Sequence, residues 1–97
     1  MKKTFKLTHP QIKVARLAEA IKYKIKKYVK RERRKSLPQG VDFWDFSCKF
    51  GHNAENAKDI HLSEINKSID EAEAEKLESF YVEVLAKPGY RTKKQQR

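Results

Sequence analysis

The sequence predicts an α+β fold with the element order β-α-β-β-α-β, a four-stranded antiparallel sheet carrying two helices on one face. Three observations lead there. Apolar residues alternate in steps of two near Phe5, from Trp44 to Phe50, and from Phe80 to Ala86. Two polar-rich stretches between them repeat apolar residues in steps of three and four, the helical period. The chain has 97 residues, 38% of them hydrophobic, which is enough for one core and too little for two.

Each element has its own signal. Over residues 3–8, Phe5 and Leu7 alternate with Thr4, Lys6 and Thr8, as in a half-buried strand. Thr8-His9-Pro10-Gln11 then reads as a helix start, with a capping threonine, a glutamine three residues on, and a proline in the first turn. The first helix is expected over residues 10–35, with Val14, Leu17, Ala18, Ile21, Ile25, Tyr28 and Val29 on one stripe. At 1.5 Å per residue it is roughly 39 Å long. Its last turns, residues 30–35, hold no apolar side chain and are expected to project beyond the core. Leu37-Pro38-Gln39-Gly40 turns the chain.

Residues 41–50 form the clearest strand, with Trp44, Phe46, Cys48 and Phe50 on one face and Phe43, Asp45, Ser47 and Lys49 on the other. A turn over residues 51–56 leads to a partner strand over residues 58–65, Ile60 and Leu62 inward, Asp59, His61 and Ser63 outward. Ser68-Ile69-Asp70-Glu71 has the spacing of a capping box and opens the second helix, which buries Ile69, Ala72 and Leu77 and exposes acids. Residues 79–87 read as the last strand, stopped by Pro88-Gly89. Ile69, Ala72, Leu77, Phe80, Tyr81, Val84 and Leu85 also fit one helix over residues 69–86. The run Phe-Tyr-Val-Glu-Val, rich in strand formers, favours the strand. This order is the ferredoxin-like one. It gives a single domain over residues 1–89 and a flexible basic tail over residues 90–97.

Nearly the whole chain resembles a family of small bacterial proteins of unknown function. The resemblance is carried by Lys2-Lys3-Thr4-Phe5 with Leu7-Thr8-His9-Pro10, by Gly40-Val41-Asp42-Phe43-Trp44-Asp45-Phe46, and by the run from Phe80 to Gly89. It implies a bacterial cytoplasmic setting and assigns no activity or site residue. The composition agrees with that setting. Cys48 is the only cysteine, so no intramolecular disulfide forms. The stretch MKKTFKLTHP lacks the apolar run and small-residue cleavage site of a secretory leader, and no membrane span is expected.

Charge gives the functional lead. The net charge of +10 is unevenly spread: residues 22–35 carry +8, residues 36–86 carry −7 and residues 87–97 carry +5. The second helix is therefore expected to neutralise part of the first where they meet. The basic cluster runs through Lys22, Lys24, Lys26, Lys27 and Lys30 to Lys35. From it, Lys24, Lys27, Lys30, Arg31, Arg33, Arg34 and Lys35, with Arg91, Lys93 and Lys94 from the tail, are the expected contacts to a nucleic-acid backbone or a ribonucleoprotein surface. The alternative is a protein–protein module or a homo-oligomer, the basic end docking on an acidic protein surface.

Other constellations point less far. The outer sheet face offers Phe43 and Tyr81 for base stacking, but Asp45, Asp59 and Glu83 repel phosphate, and no stretch matches the RNP1 pattern. Asp45, His61 and Glu83 could share that face and do acid–base chemistry. A one-residue shift of register disperses them, so they are expected to be unrelated surface groups. Cys48 is expected to be a buried, inert thiol, and with His52 it makes at most half a zinc site. No phosphate-binding glycine loop, GxSxG or HExxH is present. The expectation is a binding protein without a cofactor, not an enzyme.

Overall fold

A computed structural model describes residues 1–91. The elements are β1 (Lys2–Lys6), α1 (Val14–Arg33), β2 (Phe43–Gly51), β3 (Lys58–Ile60), a single 3-10 turn (Leu62–Glu64), α2 (Ile65–Ala74) and β4 (Ser79–Gly89). The α+β class and the ferredoxin-like order of elements stand as the alternation predicts. The strands lie in the order β1-β4-β2-β3 with every neighbouring pair antiparallel. Each strand–helix–strand unit is thus split by one strand: β4 lies between β1 and β2, and β2 between β3 and β4.

Both helices cover one face of the sheet. Ala18, Ile21, Ile25 and Val29 of α1 and Ile65, Ile69 and Ala72 of α2 pack against Phe5, Phe46, Cys48, Phe80, Val82 and Val84. Phe80 is fully buried. Its ring stacks on Phe50 at 4.9 Å and tilts against Phe5 at 6.0 Å. The amino group of Met1 donates to the Val84 carbonyl (2.7 Å) and to the Tyr28 hydroxyl (3.2 Å), tying the start of the chain to β4 and α1.

Several element boundaries differ from those read in the sequence. The first helix begins at Val14, because the His9 ring accepts the Gln11 N–H (3.0 Å) and closes a local turn. Lys13 takes the N-cap position without a side-chain cap bond. The helix of 20 residues is therefore about 30 Å long. Its end does not project freely. The Trp44 indole donates to the Lys35 carbonyl (2.9 Å), and the Arg33 guanidinium lies 5.5 Å from the centre of the Phe46 ring.

β3 is three residues long, shorter than the expected 58–65. His61 leaves the sheet to cap the 3-10 turn: its ring accepts the Ser63 N–H, and the Glu64 carboxylate accepts the His61 N–H. This box displaces the one expected at Ser68, and α2 starts at Ile65.

α2 stops at Ala74. Lys76 adopts a left-handed conformation (φ 58°), and the Leu77 N–H returns to the Ala72 carbonyl. That terminal wrap ends the helical alternative for residues 69–86. β4 continues past the expected stop, through Pro88 to Gly89. β1 pairs only with residues 79–83 of β4, so Pro88 lies where β4 has β2 on one side and no strand on the other, a place where a sheet tolerates proline.

Candidate nucleic-acid interface

The basic cluster sits on the part of the fold that α2 does not cover. Helical geometry sorts it into two flanks. Residues 22, 26 and 30, with 33 and 34, fall in steps of four and three along one flank of α1. Lys22, Lys26, Lys30, Arg33 and Arg34 face the 3-10 turn and the first residues of α2, and between them runs an open groove of about 790 Å³. Its floor is apolar: Ile25 and Val29 from α1, Leu62 and Ile65 from the opposite wall. Ser63 and Asn66 add polar side chains to that wall, and Tyr23 stands at the α1 side, 62% exposed. The cap made by His61 and Glu64 is what turns the chain so that Ser63 and Ile65 line the groove.

Charge balance differs along the groove. At its closed end Lys22 is neutralised, its ammonium meeting Asp70 of α2 at 2.5 Å and Glu19 at 3.2 Å. The hydrogen bond it donates to Asp70 holds the lysine above its ordinary pKa, against the opposing effect of burial. The two helices do meet through opposite charges, as expected, and among the described residues Lys22–Asp70 is the one ion pair between them. Lys26, Lys30, Arg33 and Arg34 form no ion pair among the described residues.

The expected contact residues divide accordingly. Lys30, Arg33 and Arg34 line the groove. Lys24, Lys27, Arg31 and Lys35 lie outside it. Lys27 sits over the Tyr23 ring (5.5 Å), Arg31 over the Tyr28 ring (5.5 Å), and Lys35 pairs with Glu32 (2.9 Å). Arg91 is placed at the α1 end of the molecule, its N–H donating to Asp42 Oδ2 (2.7 Å). Lys93 and Lys94 lie outside the described residues. Sequence reasoning left Lys26 out of the contact set, although its spacing from Lys30 and Arg33 puts it on their flank. Nothing in the sequence marks Ser63 and Asn66 as its neighbours.

Of the remaining candidates, Asp45 and His61 line one cleft together with Asp59, while Glu83 sits opposite Lys49, four positions along β2 from Asp45, and the His61 ring is committed to its cap. Tyr81 donates to Glu83 (2.8 Å), and that bond, with burial and the carboxylate charge, raises the phenol's pKa. Cys48 is buried on the core face, and burial raises its thiol pKa. Among the described residues no three His, Cys, Asp or Glu side chains gather as a metal site, and no helix is long and apolar enough to cross a membrane.

A family model described as a family of unknown function matches residues 1–95. Comparison with curated proteins and with solved structures yields no match.

Proposed function

The chain belongs to DUF6172, a family of unknown function, and we propose that it is a non-enzymatic protein that binds nucleic acid, or the nucleic-acid surface of a ribonucleoprotein, through the basic flank of α1. The setting we propose is a bacterial cytoplasm. One observation carries the reading: Lys26, Lys30, Arg33 and Arg34 line an open groove with no carboxylate paired to any of them among the described residues. Like charges in steps of three and four weaken a helix by a few tenths of a kcal/mol per pair. A row that carries this cost while acids are available on α2 is well suited to a polyanion, which supplies the missing counter-charge.

Binding of this kind falls steeply with salt, because each phosphate contact releases counter-ions. Retention on mixed RNA and on duplex DNA over a salt series is the test. Replacing Lys26, Lys30 and Arg34 together by Glu should weaken binding roughly tenfold or more and flatten the salt slope by about 2 units. All three side chains are exposed, so the fold should survive. Unchanged retention by this variant overturns the proposal.

A second reading has its own observation. The exposed acids Asp70 and Glu71 on α2, with Glu75 just past its end, form a surface that the groove of another copy could take, and an acidic protein partner could fill the same groove. Sedimentation across protein concentration and salt separates self-association from binding to nucleic acid.

A further inference from the structure

Resting on the reading above, we propose that the groove is built for a single strand and not for a double helix, with Tyr23 stacking on a base while Lys26, Lys30 and Arg34 hold phosphates. The groove has two chemistries side by side. Its flank is cationic; beneath it Ile25, Val29 and Ile65 belong to the buried core, and the partly exposed Leu62 and the exposed Tyr23 are the apolar surface it offers. A duplex offers a protein its backbone and its base edges but keeps its base faces stacked inside, where no aromatic side chain reaches them. A single strand exposes both: phosphates along one side and apolar base faces on the other.

Size agrees. A cleft of about 790 Å³ falls in the range that holds small ligands, about 300–1,000 Å³, which is room for a few nucleotides.

Tyr23 is the residue that makes the groove specific. It is 62% exposed, lines the groove, and lies between Lys22 and Lys26 in sequence. The Lys27 ammonium lies over one face of its ring, 5.5 Å from the centre, so the base stacks on the other face. Aromatic rings interleaved with lysine and arginine along a groove are the means by which proteins hold single strands with little base preference. On the facing wall the Asn66 amide supplies donors and an acceptor for a base edge, and the Ser63 hydroxyl, which meets His61 Nδ1 at 2.8 Å, adds an acceptor.

The test compares a fluorescein-labelled mixed-sequence single strand with the duplex formed from it and its complement, by anisotropy at physiological salt. The single strand should bind at least tenfold more tightly. Tyr23→Ala should weaken single-strand binding by roughly 5- to 150-fold, the equivalent of a stacked base at about 1–3 kcal/mol, and leave the duplex value unchanged. Tyr23→Phe should keep the affinity, since it keeps the ring. Equal affinity for the two forms, or an equal loss on both for Tyr23→Ala, overturns the single-strand assignment while the proposed function stands. Salt-independent or absent binding to both overturns the proposed function and this assignment together.

Discussion

The two broad surfaces of this molecule both carry aromatic rings and many charges, yet they are organised on opposite principles. On the outer face of the sheet, Lys2, Glu83, Lys49 and Asp59 lie in one row across all four strands, alternating in sign, and Asp45 faces Lys87 in the next rows. Cross-strand neighbours of opposite charge support a sheet, and the row leaves no net field. Tyr81 there is buried and bonded to Glu83, and the Phe43 ring, though 38% exposed, covers Gly89, where an added Cβ would meet ring carbons at 2.3–2.8 Å. On the groove side the cations follow one another along α1, and only Lys22 has acidic neighbours. Charge density therefore does not distinguish a working surface from a solvated one. The arrangement does: alternation satisfies itself, and repetition asks for a partner.

The sharpest way to break the contrast is to remove what both surfaces stand on. Phe80 is fully buried in the central strand β4, between Phe5 and Phe50. Phe80→Ala should cost about 3–5 kcal/mol of stability through lost burial and the cavity left behind. Guanidinium denaturation followed by Trp44 fluorescence and by far-ultraviolet circular dichroism should show both signals shifted together. A loss under about 1 kcal/mol would mean that the sheet is not held by this ring.

How far these features were legible depends on their range in sequence. The helical stripe from Leu17 to Val29 and the alternation in β2 and β4 could be read directly, because period alone identifies them. Boundaries could not. Thr8 and Ser68 both have capping chemistry, but the caps that form depend on competitors nearby: the His9 ring takes the Gln11 N–H, and His61 with Glu64 closes its own box one turn before Ser68. His61 also misled the strand reading, because Ile60, His61 and Leu62 alternate like a strand until His61 turns the chain. The charge cluster was plain, yet its division into two flanks and the opposite wall of the groove, Leu62 to Asn66, are set by where α2 packs. No local pattern states that.

His61 offers a finer test of the contrast, since the outer face could have been a place for its chemistry. In the structure its ring accepts the Ser63 N–H and shapes one wall of the groove instead. His61→Ala should cost about 0.5–2 kcal/mol, the usual value of an N-cap, and His61→Asn should restore most of it. Thermal denaturation of the three proteins checks this. Full stability in His61→Ala would show that the cap contributes nothing and that the groove wall is held by packing alone.

The smallest effects come from one titration on each surface, and both have the same sign. Lys22 on the groove side has a folded pKa raised above its ordinary value, chiefly by its hydrogen bond to Asp70. Tyr81 on the sheet side has a folded pKa raised chiefly by its hydrogen bond to the Glu83 carboxylate. A raised folded pKa means that the protonated form binds its proton more tightly in the native state. Each group therefore contributes stability that is fully present below its unfolded pKa, about 10 for both, and is lost as pH rises through the folded one. Asp70→Asn should remove the groove-side part, under about 1 kcal/mol at neutral pH because Asp70 is solvent-exposed. Tyr81→Phe should remove the sheet-side part and, with it, the latest phase of phenolate absorbance among the four tyrosines in an alkaline titration. If that late phase persists in Tyr81→Phe, the ring is not held by Glu83, and the outer face is less self-satisfied than its alternating row implies.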